Sequence, residues 1–489
     1  MILGPDGKPY AGKYTKAPKV NARYDAQRSS KNAEYSRYYA DADYLSPNAS
    51  VSYAVRRAVR SNARFEVENS SLAKGMLLTL SHDMVGTQPQ LAVESGTRER
   101  DREIEKAFNH WASRINLGAK LRTMRMSKCT DGEIFAVFTN NPKLGGQVQL
   151  DLQLVEADLV TDPTYHSSVD ERKEVDGVVL DRWGNPSKYK ILKEHPGASF
   201  GLYNEALKYD IWDSSEVIHW YREDRPGQKR GICEFVSALL MFGDLRRYIA
   251  ATVAAAETAA DFAAILYSDF PSDETQADID PLDSFQIEKR MMTTMPYGWK
   301  PAQMKAEQPT TTFSEFRKSM VNEIARCLNM PLNIAAADSS EYNYASGRLD
   351  HQVYDRSISV ERHHCEQVVL NRVFYQWADE ASLSTNLFAG SGPIADLNLQ
   401  WIWPARPHSD PAKEADAAIA LVDAKLLSRE RYIRTSLGVD PDTHYLELQR
   451  DQERAEEYGV EENEQPVDEG AAETEEEGEE SPEPTPAAD

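Results

Sequence analysis

What the chain lacks narrows it first. Its four cysteines, at 129, 233, 327 and 365, lie far apart and form no Cys-x-x-Cys pair. That argues against a disulfide framework or a zinc ribbon and leaves buried free thiols as the expectation. No apolar run is long enough to span a bilayer: the stretch 250–266 carries Glu257 and Asp261. The first residues, MILGPDGKPYAGKYTKAPK, lack the basic-then-apolar pattern of a secretory leader, so synthesis in the cytoplasm is expected. Positive charge is scarce, and the net charge is −24. A conventional duplex-binding protein displaces counterions with a basic footprint, and this composition does not supply one. GxxxxGK[ST], GxGxxG after a strand, GxSxG and HExxH are all missing, so phosphate-loop, dinucleotide, hydrolase and zinc-protease readings lose support. No internal repeat appears.

The stretch 234–267, EFVSALLMFGDLRRYIAATVAAAETAADFAAILY, organises what is present. It has no proline, and alanine and leucine dominate, so the composition predicts one helix of roughly 50 Å. Its first half is amphipathic. Its second half puts small side chains on nearly every face, including Ala251, Ala255, Ala259 and Ala263. Small faces allow close helix packing, either against neighbouring copies or within an ordinary bundle.

With 489 residues, two or three domains are expected. Residues 1–45 read as an arm, polar and rich in tyrosine. Helix is predicted over 50–85, with bends at Ser70 and Gly75. Arg56, Arg57, Arg60 and Arg64 form a basic stripe along it, which suits either paired or solvated cations or a phosphate contact. Residues 88–222 read as α+β, with helices at 99–116 and 119–127. Strands are expected at 91–93, 134–138, 148–155, across 177–192 around a Gly-Asn-Pro turn, and at 215–221. The loop Arg225-Pro-Gly-Gln-Lys-Arg-Gly231 follows and could form an anion nest with Arg225, Gln228 and Arg230, or a locally paired turn. Later helices are predicted at 313–329, 345–381, 411–424, 428–435 and 444–458, with a loop at 332–344 and a strand-like anchor at Trp401-Ile402-Trp403-Pro404. The last thirty residues hold thirteen acids and no Lys or Arg, a composition that cannot bury a core.

Catalytic candidates are thin. His363, His364 and Cys365 are adjacent, and neighbours on a helix point about 100° apart, so they cannot readily share one ion. Asp338, Glu341 and Asp350 could pair as carboxylates but read more simply as a solvated acidic loop. No catalytic, cofactor or metal residue is expected.

Several separated segments share an order with a known family. HWYREDRPGQKRGICEF followed by the alanine-rich helix closely resembles the core of portal proteins of lambda-type tailed bacteriophages. NEIARCLNMPLNIAAADSSEYNYASGRL resembles that family's helix–proline–loop–helix segment. WIWPARPHSDPAKEA resembles its closing segment, and Asp83-Met84-Val85-Gly86 its early turn. Cys327-Leu328-Asn329-Met330 departs from the glycine-rich stretch usual there. The resemblance implies a mainly helical α+β portal fold assembled as a homo-oligomeric ring, usually of twelve copies, at one capsid vertex. Implied domains are an arm at 1–45, a wing at 46–233, a first stem helix at 234–267, a clip at 268–312 and a second stem helix at 313–330. A tunnel loop at 331–344, a spine helix and return to the wing at 345–408, a crown at 409–458 and an acidic tail at 459–489 complete the series. Ala335, Ala336, Ala337, Asp338, Ser339, Ser340, Glu341, Tyr342, Asn343 and Tyr344 would then face translocating DNA, and Ala251, Ala255, Ala259 and Ala263 a neighbouring subunit. Implied partners are double-stranded DNA, the terminase large subunit, which supplies ATP hydrolysis, head-tail connector proteins, the major capsid protein and scaffold. No membrane and no cofactor is implied, and the location is the virion. A head-associated adaptor or scaffold without a DNA conduit is the alternative, followed by a metal-dependent hydrolase.

Overall fold

The computed structural model describes residues 42, 44–95, 97–162, 173–198, 208–261, 265–268, 299–302, 312–340, 344–389, 392–405 and 411–459. After a single helical turn, Pro47–Ser50, the chain enters helices α1 (Tyr53–Asn69) and α2 (Ser71–Val85). Ser70 separates them as expected. Its backbone is extended, its N–H caps α1 by donating to Glu66 O (2.8 Å), and its hydroxyl accepts from Ala73 N (3.3 Å) to start α2. Gly75 leaves α2 unbroken. β1 (Gln90–Glu94) leads to α3 (Arg98–Arg114), whose stripe of Ile104, Phe108 and Trp111 is buried at the predicted spacing. α4 (Leu117–Asp131) then feeds β2 (Glu133–Asn140).

β2 is the centre of a three-stranded antiparallel sheet with β3 (Leu150–Val155) on one side and β8 (Val217–Tyr221) on the other. Strands β4 (Glu174–Val175), β5 (Val178–Leu180), β6 (Pro186–Leu192) and β7 (Tyr209–Asp213) form a second antiparallel sheet in sequence order. Helices α5 (Leu239–Asp261) and α6 (Thr312–Arg326) follow, with the paired strands β9 (Ile265–Ser268) and β10 (Trp299–Ala302) between them. α7 (Leu332–Ala336), α8 (Tyr344–Cys365) and α9 (Asn371–Ser384) come next. β11 (Asn398–Ile402) returns to pair with β1 across the whole strand, Gln90 opposite Ile402 and Glu94 opposite Asn398. α10 (Pro411–Asp423), a short turn of helix at Arg429–Tyr432 and α11 (Pro441–Tyr458) end the described chain.

One large core joins α1–α4, the three-stranded sheet, α6 and α9. Its aromatic centre is Phe108, which meets Trp377 edge-on at 5.3 Å and Trp401 at 5.6 Å. Such geometry places ring edges on ring faces. The anchor expected at 401–404 is therefore real: Trp401 Nε1 donates to Asn371 (2.8 Å) and Trp403 Nε1 to Glu366 (2.6 Å).

Several expectations change. The helix predicted over 234–267 spans 23 residues, about 35 Å. At its start, Val236–Ala238 form a tighter 3-10 turn, because Glu234 and Phe235 are drawn into the interior. At its end, Ile265–Ser268, β-branched and aromatic in part, pair as a strand. The predicted loop 332–344 begins as helix α7: Pro331 precedes it, and Ala337, at φ 52, closes it in the left-handed region. The helix predicted over 345–381 contains a π-turn at Glu366–Leu370 before α9 runs on to Ser384. The helix predicted at 313–329 stops at Arg326, with Asn329 at φ 52. The helix predicted over 428–435 ends at Tyr432 and continues as a π-turn, Ile433–Leu437. Most of the arm, of the region between β9 and β10, and of the acidic tail lies outside the described residues.

Candidate functional site

The sites that hold the motif segments together are built on buried charge. Glu133, the first residue of β2, has a fully buried side chain. Its Oε1 accepts from Arg230 Nη2 (2.7 Å) and Arg60 Nη2 (3.2 Å), and its Oε2 accepts from Gly231 N (3.0 Å) and lies 3.1 Å from His219 Nε2. Burial alone would raise its pKa, but Arg230 and the hydrogen bonds from His219 and Arg230 hold it well below the usual carboxylate range. His219, also buried, is pushed below the ordinary imidazole value by desolvation. The loop 225–231 reaches this acid because Gly132 and Gly231 touch through their backbones. A Cβ on Gly231 would stand 2.1 Å from Gly132 O, and Gly132 itself sits at φ +90.

The arginine stripe of α1 serves the same frame. Arg56 pairs with Asp176, Arg60 with Asp158 (2.5 Å), and Arg64 with Asp131 (2.8 Å), Glu156 (2.6 Å) and Asp158 (2.8 Å). Only Arg57 of the four points to solvent as an exposed residue. A phosphate contact by the stripe is thereby overturned: its spacing puts three guanidinium groups over acids from the end of α4, the start of β2 and the turns that follow the strands. The anion nest is overturned too. Arg230 is spent on Glu133, and Gln228 donates to Arg230 O (2.7 Å). Only Arg225 stays near the surface, donating to Ser50 Oγ and Leu45 O (both 3.2 Å).

A second buried group sits at the root of α5. Glu234 takes Arg125 (2.8 Å) and Lys128 (2.9 Å), and Lys128, with no exposed side-chain surface, also reaches Glu361 of α8 (2.5 Å). Burial opposes the charge on Glu234, while Arg125 and Lys128 pull its pKa below the usual range. Arg362, next along α8, donates to Met84 O (2.8 Å), Asp83 O (3.0 Å) and Pro404 O (3.3 Å). Tyr354 donates its hydroxyl to Asp83 (2.9 Å). Gly86 lets this junction close: a Cβ there would stand 2.8 Å from Pro404. Thus α8 ties the Asp83–Gly86 turn to the Trp401–Pro404 anchor.

The remaining candidates are distributed. His363 lies 3.4 Å from Glu366, His364 accepts from Trp220 Nε1 (3.3 Å), and Cys365 is buried. These three side chains therefore do not converge. His351 contacts Asn333 Nδ2 at 2.9 Å. Among the described residues one group has metal-ligand types at close range: Glu156, Asp158 and His195, with ligand atoms within 4.8 Å of one another. Arg60 and Arg64 already balance both carboxylates.

The candidate DNA-facing segment divides. Ala335 is buried and Ala336 half-buried in α7, whereas Ala337, Asp338, Ser339 and Ser340 are exposed. Glu341, Tyr342 and Asn343 lie outside the described residues; Tyr344 begins α8. On α5, Ala251 and Ala255 are exposed; Ala259 belongs to the helix, and Ala263 lies outside the described residues. Sequence reasoning missed Glu133, Lys128, Glu234 and Glu361. Each has its partner far away in sequence, and only the fold brings the two together. It also missed Arg317 and Lys318, which line a cleft with Asp338 and Ser340.

A family model described as "Phage portal protein, lambda family" matches residues 39–362, a span from before α1 into α8. The chain belongs to the lambda family of phage portal proteins, a structural rather than an enzymatic family. Solved structures with a similar outline come from gene transfer agent (GTA) particles. One is the neck of an empty GTA particle with C6 symmetry (14% identity, TM-score 0.41), and another the virion of a native GTA particle (12%, 0.41). A third is the neck of the native particle with C12 symmetry (12%, 0.39). Each covers 76% of this chain and 91% of its own. No curated protein matches the chain.

Proposed function

We propose that this portal-family chain assembles as a homo-oligomeric ring of about twelve copies at one capsid vertex. Double-stranded DNA passes through its channel during packaging and ejection. In this reading the ring docks the terminase large subunit on one side and head-tail connector proteins after packaging, and it contacts the major capsid protein and scaffold. The observation that carries it is the family match over residues 39–362. The surface of the single chain supports it. Ala250, Ala251, Ala255 and Val253 leave one part of α5 uncovered, and Leu349, Val353 and Val360 leave a stripe of α8 exposed at 64%, 46% and 66%. Apolar helix faces of that kind suit neighbouring copies. The α+β region up to Cys233 takes the wing role, α5 and α6 the stem, the region between them the clip, the turn after α7 the tunnel loop, α8 the spine and the last helices the crown.

Buried salt bridges at the base of α5 suit a rigid conduit. They tie the stem root to α4 and α8, so that force along α5 reaches the body through Glu234 rather than through a hinge. Negative-stain images of the purified chain test the reading. A ring with a central hole is expected. Particles with no hole overturn the conduit and favour an adaptor, and a stoichiometric metal found by elemental analysis favours a hydrolase.

A further inference from the structure

The described chain leaves the body at its surface on both sides. Near its start, Tyr44 and Leu45 are exposed, and the root is fastened. Arg225 donates to Leu45 O, Asn48 Nδ2 donates to Gly227 O (3.3 Å), and Lys229 N donates to Asn48 Oδ1 (2.9 Å). The loop 225–231 is itself held to Glu133 through Arg230 and Gly231. Near its end, α11 is exposed along most of its length and closes at Gly459, in the left-handed region at φ 63. Beyond these two points the sequence carries opposite charge. Residues 1–41 hold eight Lys and Arg against four acids. Within 8–23 there are five cations, Lys8, Lys13, Lys16, Lys19 and Arg23, and no acid. Residues 460–489 hold thirteen acids and no cation.

Acid-free runs of four cations recur at 53–64, 117–130 and 182–193, and there the fold supplies acids from elsewhere. In the first, Arg56, Arg60 and Arg64 take Asp176, Asp158 and Asp131. In the second, Lys120 takes Asp151 (2.5 Å), and Arg125 and Lys128 take Glu234. In the third, Lys190 takes Glu174 (2.7 Å) and Lys193 takes Asp210 (3.1 Å). A run of cations without acids of its own is thus paired from a distance, and the tail is the reciprocal case. We propose that the acidic tail, 460–489, docks on the basic run 8–23 of the arm, within one chain or between neighbouring copies. A nucleic-acid duplex is the less suited ligand. With +4 on the arm and −13 on the tail, −15 of the net charge stays on residues 42–459, which repel a phosphate backbone. Tail and arm belong to one chain and meet at the effective concentration of tethered groups. Pairs between exposed groups are individually weak and screened by salt, so the contact rests on the number of charges and is reversible. It covers the arm's cations without adding to the core.

Zero-length carbodiimide coupling joins a lysine amine to a carboxylate only where the two meet. Applied to the full-length chain and read by peptide mass spectrometry, it is expected to link Lys8, Lys13, Lys16 or Lys19 to acids between Glu461 and Asp489. The pairs Lys120–Asp151 and Lys193–Asp210 serve as internal references. Raising the salt from about 0.05 M to about 0.5 M should cut the arm–tail links several-fold and leave the half-buried Lys120–Asp151 link unchanged. Lys16→Gln with Lys19→Gln should lower the total coupling of the tail, with the reference links intact. Three outcomes overturn the pairing: arm lysines that couple to acids of residues 42–459 as often as to the tail, tail acids that couple mainly to Lys289, Lys300 or Lys305, or no coupling of either segment beside intact references. A short duplex added at equal concentration tests the rival ligand. Arm–tail links that disappear in its presence at low salt assign the arm to nucleic acid and overturn the pairing, and links that persist support it. None of these results requires ring formation, so they bear on the arm and tail and not on the portal reading.

Discussion

At the scale of the residue, Glu133 shows why a buried charge survives in a folded chain. Three cationic or imidazole side chains and one backbone N–H converge on it, so its desolvation is offset by directed hydrogen bonds. Substituting Glu133→Gln removes the main counter-charge of buried Arg230 and leaves it only the more distant Asp176 (3.3 Å). A loss of about 3–5 kcal/mol in unfolding free energy is expected, read by urea titration at neutral pH. The pH dependence follows from the direction of the shifts. A carboxylate whose folded pKa lies below its unfolded value stabilises above the unfolded pKa, and that stability is lost as pH falls. His219, held neutral, adds to the same trend, because the unfolded imidazole takes up a proton as pH drops through its ordinary value. Wild type should lose melting temperature as pH falls through 6.5, from His219, and again below 4.5, from Glu133, and Glu133→Gln should show a flatter limb below pH 4.5. Glu105 behaves oppositely. Burial, opposed by the hydrogen bond from Val93 N, lifts its pKa to about 7. A carboxyl that is easier to protonate when folded costs stability as pH rises above its unfolded value. Glu105→Gln keeps the acceptor for Val93 and should gain about 1 kcal/mol at pH 8 relative to pH 5, allowing for solvent screening of a partly exposed group. Equal gains at both values would refute the assignment.

At the scale of the element, α5 carries the argument. Tyr248 stacks on Phe313 at 5.6 Å and meets Phe316 at 4.8 Å, so one face of α5 is satisfied by α6. Ala251 and Ala255 lie outside that contact and are exposed. Leucine at both positions should therefore leave the stability of an isolated chain within about 0.5 kcal/mol. In a ring it should overfill the contact, at about 1–3 kcal/mol per site. Native mass spectrometry of Ala251→Leu with Ala255→Leu is expected to show fewer complete rings beside an unchanged melting curve for dissociated chains. Rings of full yield would take this helix out of the subunit contact.

At the scale of the whole molecule, charge is divided unevenly along the chain. The last thirty residues hold thirteen of the 79 acids and no Lys or Arg, more than half of the net charge of −24. The rest of the acidic surface is partly spent inside, on Arg60, Arg64, Arg125, Lys128 and Arg230. A tail of that composition contributes solubility and self-repulsion rather than a core. Truncation after Gly459 should leave melting temperature and ring formation unchanged, measured by differential scanning fluorimetry and native mass spectrometry. A truncated chain that becomes monomeric or insoluble would show that the tail is structural.

Local chemistry wrote much of this protein into its sequence. The stripe of Ile104, Phe108 and Trp111, the extended Ser70 between two helices, the alternating strands and the Trp401–Pro404 anchor are each decided by residues within a few positions of one another. So was the family, because its segments keep their order along the chain. The start of α5 was not legible, since Glu234 leaves the helical path for partners more than a hundred residues away. Neither was the fate of the arginine stripe. Helical spacing puts Arg56, Arg60 and Arg64 on one face, but whether that face meets phosphate, water or acid depends on what packs over it. Only the tertiary structure brought Glu133 and Asp158 there, and only it set Asp338 across a cleft from Arg317 and Lys318. Periodicity is a property of neighbours in sequence, whereas the partner of a charge is chosen by the fold, at separations that a local pattern does not record.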